Sequence, residues 1–204
     1  MVVHKETKMI LALKKIDKAK VKKFNMVKQV IDEIKIHLGL DHPNIIKLFG
    51  IFHDQHHIYL ILESIFTGTL FDLLNEKEKL SVPETVKYVK AVVAAINYMH
   101  QKSIAHRDIK PENILVAESG IAKLCDLGWS AFITSTRKTY CGTFDYVAPE
   151  ILERKNYDLS VDIWCIGALT YELLLGKMPY EGDRGTIICK KITNVAHFIN
   201  KGLT

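Results

Sequence analysis

The chain has 204 residues, and 48% of them are hydrophobic, which excludes an intrinsically disordered or collagen-like protein and allows a sizeable core. The charge is mildly basic, because 28 Lys and Arg residues against 23 Asp and Glu residues give a net charge of +5. Much of the excess lies between Lys14 and Lys28, where Phe24 is the single aromatic residue. This pattern is typical of a solvated surface and predicts no nucleic-acid partner.

The cysteines and the apolar segments indicate the compartment. The four cysteines form no C-x-x-C pair, which argues against a zinc site and favours a reduced, intracellular protein. The N terminus does not resemble a signal peptide. The most apolar run, from Val161 to Leu175, contains Asp162 and Glu172 and is too short to span a bilayer. We therefore expect a soluble protein with no membrane partner.

The first third of the chain alternates short apolar runs with one helical pattern. The predicted elements are a strand at 9–13, a helix containing Val27, Val30, Ile31 and Ile34, and two strands at 45–52 and 57–62. His42-Pro43-Asn44 ends the helical pattern, since a residue before proline disfavours helix. The polar residues 54–56 predict the turn between the last two strands.

Past Gly68 the pattern becomes mainly helical. Helices are predicted at 70–74, 83–101, 162–175 and 185–194, with short strand pieces within the loop at 106–128. Ser81 as N-cap, Pro83 near N1 and Glu84 at N3 predict a capping box for the second helix. We expect an α+β fold with a small β lobe at 1–62, a hinge at 63–68 and a larger helical lobe at 69–204. Ligands favour the cleft between such lobes.

The decisive motif runs from His106 to Asn113 and reads His-Arg-Asp-Ile-Lys-Pro-Glu-Asn. It is identified as the H-R-D-x-x-x-x-N catalytic loop of protein kinases. In this pattern Asp108 accepts the proton of the attacking hydroxyl and Asn113 holds Mg²⁺. Lys110 lies between them and can neutralise charge on the transferred phosphoryl group. The Lys-Pro-Glu sequence resembles serine/threonine kinases and not tyrosine kinases.

Two further motifs complete the phosphate site. Asp126-Leu127-Gly128 resembles the D-F-G triplet, so Asp126 is the second predicted Mg²⁺ ligand, with leucine in place of the usual phenylalanine. Ala12-Leu13-Lys14 resembles the V-A-I-K strand, whose lysine holds the α- and β-phosphates of ATP. Glu33, nineteen residues later in the predicted helix, is expected to pair with Lys14.

The activation segment is expected between Asp126 and the Ala148-Pro149-Glu150 sequence, which matches the A-P-E motif. Within it, Thr139 follows two cations, and its phosphorylated form could pair with Arg107 and order the segment. Thr143 is a second, less favoured regulatory residue, because the equivalent threonine of the family contacts the catalytic aspartate and lysine.

A narrower resemblance is to the Aurora kinases of mitosis. The stretches that carry it are Asp126–Ser130, Cys141–Tyr146, Phe52–Asp54 and Tyr59–Glu63, and the tryptophan directly after the metal-binding triplet is the most specific feature. The resemblance implies that Leu62 is the gatekeeper and that Glu63, Ser64 and Ile65 bind adenine. It also implies that Ala12 and Leu115 sandwich the base, and that Glu112 favours an arginine upstream of the target hydroxyl.

The same resemblance implies ATP and Mg²⁺ as cofactors, and cytoplasm, nucleus, centrosome or spindle as the location. It also implies a spindle-associated activator near Gly50. It places a Gly-rich loop, G-x-G-x-x-G-x-V, before Met1 and further helices after Thr204, and no such loop pattern occurs in the chain. A small lobe without its first strand and a large lobe without its last helices are therefore expected. Two hypotheses stay open: an active kinase, or a kinase-fold binding module that transfers little or no phosphate.

Overall fold

The computed structural model describes residues 1–65, 68–133, 142–143 and 145–179 of the chain. In this part of the chain, an antiparallel sheet and a long helix form a small lobe, and several helices form a larger one. The two-lobed α+β architecture predicted from the sequence is confirmed.

The small lobe is built on a four-stranded sheet with the strand order β1-β2-β4-β3. Its strands are β1 (Val2–Val3), β2 (Ile10–Asp17), β3 (Leu48–His53) and β4 (His57–Glu63). Lys14 of β2 lies opposite Leu60 of β4. The predicted turn between β3 and β4 is confirmed, because the Asp54 carboxylate accepts hydrogen bonds from the backbone N–H groups of His56 and His57 at 2.7 and 2.6 Å.

Strand β3 begins at Leu48, three residues later than its apolar run predicts. The preceding residues pair elsewhere: Ile45 forms a parallel bridge with Leu124, and the backbone N–H of Ile46 donates to the carbonyl of Leu124 at 2.9 Å. The predicted strand was therefore too long, because part of its backbone is bonded to the larger lobe instead of to β4. Strand β1 and helix α1 (Lys18–Lys23) were not predicted as separate elements.

Helix α2 (Val27–Leu38) forms where the apolar spacing predicted a helix, but the predicted apolar face was wrong, because Val27 and Ile31 are 46% and 45% exposed. Its buried residues are Val30, Glu33, Ile36 and His37, which recur at spacings of three, three and one. The acidic side chain of Glu33 therefore shares the buried face of the helix, which brings it to the β2 side chains.

The larger lobe contains α3 (Leu70–Lys77), α4 (Val82–Gln101), α5 (Pro149–Leu152) and α6 (Val161–Leu175). The capping box predicted for α4 is confirmed: the hydroxyl of Ser81 accepts from the backbone N–H of Glu84, and the Glu84 carboxylate accepts from the backbone N–H of Ser81 at 3.1 Å. A cap of this kind stabilises a helix by about 1 kcal/mol. Pro83 follows Val82 as the second helical residue.

The core of the larger lobe lies where α4 and α6 pack together. Ile96 and Met99 of α4 and Leu169 and Leu173 of α6 are almost fully buried. Each such side chain contributes about 1.5–3 kcal/mol by leaving water. Helix α6 also carries Asp162 and Glu172 into this interior, although its sequence is otherwise apolar.

Two short ladders fix the segments between the helices. They pair β5 (Ile104–Ala105) with β8 (Ala131–Phe132), and β6 (Ile114–Val116) with β7 (Ala122–Leu124). The ladders bring residues 106–113 beside residues 125–130, since the backbone N–H of Cys125 donates to the carbonyl of Asn113 at 2.8 Å.

Two predictions fall on parts of the chain outside the described residues: the helix at 185–194 and the environment of Thr139. Among residues 1–65, 68–133 and 145–179, no helix is both long and apolar enough to cross a membrane.

Candidate active site

The side chain of Asp162, on α6, holds the start of the loop from His106 to Asn113. This carboxylate is fully buried and accepts backbone hydrogen bonds from His106 at 2.9 Å and from Arg107 at 2.7 Å. It also contacts the Nε2 of His100, on α4, at 2.8 Å. One buried carboxylate on α6 therefore fixes the start of the loop, whose Arg107 adopts a positive φ of 69°.

Asp108 is the centre of a four-residue polar cluster. Its Oδ1 accepts a hydrogen bond from the hydroxyl of Thr143 at 2.8 Å, and its Oδ2 accepts one from Nδ2 of Asn113 at 2.9 Å. The ammonium of Lys110 donates to the Thr143 hydroxyl at 2.8 Å and lies 3.5 Å from Asp108 Oδ2. These contacts hold the carboxylate in one orientation beside a cation. Asp108 is only 6% exposed, so little of it is in contact with water.

The two predicted metal ligands present oxygen atoms of the right kind. Both side-chain bonds of Asn113 use its Nδ2, which donates to the carbonyl and the carboxylate of Asp108. The Oδ1 of the amide takes part in neither bond. Asp126 receives bonds from Lys14 and Gly128 on Oδ1 alone, at 2.8 and 3.3 Å, and neither uses Oδ2. Amide and carboxylate oxygens suit Mg²⁺.

The donor set also indicates how a metal would be completed. Among the described residues, no group of three or more His, Cys, Asp or Glu could hold a metal ion alone. Mg²⁺ usually binds one or two carboxylates together with substrate phosphates and water. Asn113 and Asp126 therefore fit a metal that arrives with a nucleotide.

Lys14 connects the small lobe to Asp126. Its Nζ lies 2.7 Å from Oε1 of Glu33 and 2.8 Å from Oδ1 of Asp126. The contact predicted between Lys14 and Glu33 is thus present in the structure, while its role in phosphate binding stays a prediction. Glu33 is buried and Asp126 is half-exposed, so the ammonium faces the cleft with one fixed and one accessible partner.

The ammonium of Lys14 and the carboxylates beside it stabilise one another's charged forms. Loss of water contact would lower the pKa of Lys14, but the carboxylates of Glu33 and Asp126 outweigh it and raise that pKa. Desolvation would likewise raise the pKa of Asp126, and the neighbouring Lys14 ammonium together with two hydrogen bonds lowers it instead. Both groups therefore stay ionised near neutral pH.

Leu127 occupies the position of the aromatic residue of the D-F-G triplet. It is 1% exposed and belongs to the main hydrophobic core. The apolar contact expected of this position is therefore kept with a smaller side chain.

The residues predicted to surround adenine lie at the end of β4 and on the two facing strands. Ala12 of β2 lies directly opposite Leu62, and Leu11 lies opposite Glu63. Ser64 and Ile65 follow in the chain and are partly buried. Leu115 lies in β6 on the side of the larger lobe. The structure gives these positions, and adenine binding stays a prediction.

Glu172, near the end of α6, interacts electrostatically with two other acidic side chains, Glu112 and Asp145, and only Glu112 of the three was predicted as a site residue. The hydroxyl of Tyr146 donates a hydrogen bond to the buried carboxylate of Glu172. Burial raises the pKa of Glu172, and Glu112 and Asp145 raise it further by repulsion. Sequence reasoning used Glu172 only to exclude a membrane span. The sequence signal that could have identified Glu172 as a site residue is the presence of an acidic residue within the otherwise apolar run of α6.

Arg107 is buried and engaged. Its Nε donates to the carbonyl of Trp129 and its Nη1 to the hydroxyl of Tyr157, each at 2.7 Å. It lines a cavity of about 280 Å³ between α2 and residues 128–131, together with Lys28. The predicted pairing of Arg107 with a phosphorylated Thr139 concerns a residue outside the described part of the chain and stays a prediction.

Comparison with known proteins gives a consistent result. The family model of the protein kinase domain matches residues 1–202. An Aurora kinase of Candida glabrata is 42% identical over 191 residues, which cover 93% of this chain and 53% of that protein. The Aurora kinase C of Mus musculus is 41% identical over 94% of this chain and 70% of its own length.

A further Aurora kinase, from Encephalitozoon cuniculi, is 39% identical over 200 residues, which cover 96% of this chain and 74% of that protein. The chain spans about half the length of several of the curated relatives it matches.

Proposed function

The chain belongs to the protein kinase family and, within it, to the Aurora kinases, and from this we propose that it transfers the γ-phosphate of ATP to serine or threonine hydroxyls of proteins. The observation that carries the proposal is the cluster of Asp108, Lys110, Asn113 and Thr143, in which one carboxylate is oriented by two hydrogen bonds and faces a cation.

Asp108 is the proposed general base. The substrate hydroxyl gives its proton to the Asp108 carboxylate while its oxygen bonds to the γ-phosphorus, and the bond to the bridging oxygen of ADP breaks. Lys110 offsets negative charge on the transferred group. Asn113 and Asp126 would hold Mg²⁺, which when bound neutralises charge on the phosphates.

Nucleotide binding is proposed for the cleft between the lobes, with residues 1–62 and 69–204 as the two lobes and 63–68 as the hinge. Lys14, held by Glu33 at 2.7 Å, would contact the α- and β-phosphates. Leu62 would act as gatekeeper, and the backbone of Glu63 to Ile65 would bond adenine. Ala12 and Leu115 would cover the two faces of the base.

A basic substrate is favoured by the acidic cluster near α6. Burial raises the pKa of Glu172, and repulsion from Glu112 and Asp145 raises it further, so an arginine guanidinium between the three would relieve that repulsion. We therefore propose substrates with arginine upstream of the target hydroxyl.

Regulation by phosphorylation and binding of an activator are each proposed from a single feature of the chain. Phosphorylation of Thr139 would add charge that Arg107 can pair with. Phe49 and Ile51 of the edge strand β3 are 48% and 45% exposed on either side of Gly50, which suits a protein activator of the mitotic spindle. Such roles would place the protein inside the cell, in the cytoplasm or nucleus and at the centrosome or spindle.

The alternative, a binding module without phosphate transfer, is not favoured. Lys14 contacts both Glu33 and Asp126, and Asn113 contacts Asp108. A module without catalysis would not need that arrangement.

The test compares phosphate transfer by the parent and by Asp108→Asn, with a peptide that carries arginine before serine. Loss of the general base should slow transfer by about 10²- to 10⁴-fold. Asp158→Asn, which removes an exposed carboxylate of the same lobe, should transfer at the parent's rate. A parent with no transfer above the Asp108→Asn background would overturn the proposal.

A further inference from the structure

A second ion pair joins the two lobes at the first residue of the predicted hinge. The ammonium of Lys123, on β7, lies 2.8 Å from Oε1 and 2.9 Å from Oε2 of Glu63, the last residue of β4. The two side chains are only 18% and 28% exposed. The ammonium therefore lies at almost the same distance from both carboxylate oxygens.

The carboxylate of Glu63 is fixed to the small lobe. Its Oε2 also accepts a hydrogen bond from the backbone N–H of Lys47 at 3.2 Å, and the backbone N–H of Glu63 donates to the carbonyl of Lys47 at 2.9 Å. Glu63 is therefore held to the residue before β3 through both its main chain and its side chain, and Lys123 contacts an acceptor that is already oriented.

The partner lysine is fixed to the larger lobe. Its strand β7 pairs with β6 and packs against α4. The neighbouring Leu124 bonds across to the small lobe, because its N–H donates to the carbonyl of Asn44 at 2.8 Å and its carbonyl accepts from Ile46. The side chain of Asn44 adds a bond to the carbonyl of Ala122 at 2.9 Å. Strand β7 is thus bonded to the connection between α2 and β3 through Asn44 and Ile46. It is bonded to the hinge through the ion pair between Lys123 and Glu63.

The location gives the ion pair a mechanical consequence. Glu63 is the first hinge residue, and Lys123 lies three positions before Asp126, so the pair spans the pivot about which the lobes would rotate. Rotation in either direction changes the distance between Nζ and the carboxylate. A partly buried pair resists such a change more strongly than an exposed one, since water screens it less.

We propose that the Glu63–Lys123 ion pair is a hinge fastener that limits opening of the cleft and thereby slows release of the nucleotide. The proposal rests on the proposed function, because it takes the cleft to be the nucleotide site. Glu63 and Lys123 are positioning residues in this scheme: neither side chain needs to touch the nucleotide or the substrate hydroxyl, and both act through the angle between the lobes.

The test is a double-mutant cycle in the full chain. Glu63→Gln keeps an oxygen for the Lys47 N–H but removes the charge, and Lys123→Met keeps the length of the side chain without the ammonium. The two single variants and the double variant are compared with the parent. Asp41→Asn is the matched control. It removes an exposed ion pair between Asp41 and Lys47, the residue before β3 whose backbone also bonds to Glu63.

Two measurements decide the outcome. Dissociation of a fluorescent ADP analogue, followed by stopped flow, should be faster than in the parent by about threefold to tenfold in each single variant. The double variant should be as fast as the single variants and no faster, because all three lack the same pair. Hydrogen–deuterium exchange without nucleotide should rise in the peptide that covers residues 61–65. The Asp41→Asn control should match the parent in both.

Unchanged exchange in the single variants would overturn the fastener, whether or not nucleotide binds. Faster exchange with unchanged ADP dissociation would overturn its link to nucleotide release. Single effects that add in the double variant would show that Glu63 and Lys123 act separately, which also contradicts the proposal. A parent that exchanges as expected but binds no nucleotide would instead contradict the proposed function of the cleft.

Discussion

The hydroxyl of Thr143 donates a hydrogen bond to the carboxylate of Asp108 at 2.8 Å, across 35 positions of the sequence. The same hydroxyl accepts a bond from Lys110. One side chain therefore sets the orientation of the proposed base and of the neighbouring cation at once.

Thr143→Val should slow phosphate transfer by about tenfold or more, because valine keeps the volume but can neither donate to Asp108 nor accept from Lys110. ATP affinity, measured by calorimetry, should stay close to that of the parent, since Thr143 does not contact the Lys14 cluster. Thr143→Ser should restore most of the rate. A valine variant as fast as the parent would show that the hydroxyl does not position Asp108.

Asp162→Asn should destabilise the chain by about 3 kcal/mol or more. Asp162 is fully buried and accepts bonds from two backbone N–H groups and contacts His100, and asparagine offers one acceptor oxygen in place of two. Each buried donor left without an acceptor costs about 1–3 kcal/mol. Urea unfolding measures the change, and the exposed Asp158→Asn should stay within about 0.5 kcal/mol of the parent.

Glu172→Gln should weaken the preference for arginine in the substrate. The amide removes one of three clustered negative charges while its oxygen can still accept from Tyr146. The ratio of kcat/KM between a peptide with arginine and the same peptide with methionine should fall by about tenfold, as expected for a lost charged hydrogen bond. The rate on the methionine peptide should hardly change. An unaltered ratio would remove Glu172 from substrate recognition.

Cys125 should resist alkylation although it directly precedes Asp126. Burial, with a smaller effect of the Asp126 carboxylate, raises the pKa of its thiol to about 12. Near pH 7.5 the reactive thiolate should therefore be about 10³-fold scarcer than in an ordinary cysteine. Iodoacetamide labelling followed by peptide mass spectrometry checks this, and the same chain unfolded in urea is the control. Equal labelling rates in the two states would contradict the prediction.

His37 should make the chain less stable below neutral pH. Burial lowers its pKa in the folded state, and its Nε2 donates to the carbonyl of Ile46 at 2.7 Å. The unfolded chain takes up the proton as the pH falls through about 6.5, while the folded chain does not, so the free energy of unfolding decreases below that pH.

The loss is at most about 1.4 kcal/mol per pH unit for one group. His37→Gln keeps a donor for Ile46 and removes the titration, so its urea midpoint should change less than the parent's between about pH 7.5 and 5.5. His106, whose pKa is also lowered by burial, titrates in both proteins and cancels in the comparison. Equal pH dependence in parent and variant would show that His37 does not carry the effect.

Local features of this protein could be predicted from the sequence. The capping box of α4 and the turn at Asp54 each depend on residues within a few positions of one another, so their hydrogen bonds follow from spacing alone. The existence of helix α2 also followed from spacing, but its buried face did not. The motif from His106 to Asn113 is equally local, so its residue types and their spacing are enough to identify the loop.

The position at which β3 begins could not be predicted in the same way. Ile45 and Leu48 belong to one apolar run, but Ile45 pairs with Leu124, far along the chain, and Leu48 pairs with Leu62. Apolar periodicity reports that a residue is buried and not which strand covers it.

The sequence by itself therefore determined the two-lobed class, the bounds of α4 and α6 to within one residue, the turn at Asp54 and the types of residue at the candidate site. The tertiary structure decided which residues meet beyond those that the motifs imply: Arg107 with Tyr157, Glu172 with Tyr146, and Lys123 with Glu63. Each of these contacts joins separate elements whose relative placement is set by the packing of the whole core. Short-range patterns carry no information about that placement, so only the folded chain specifies it.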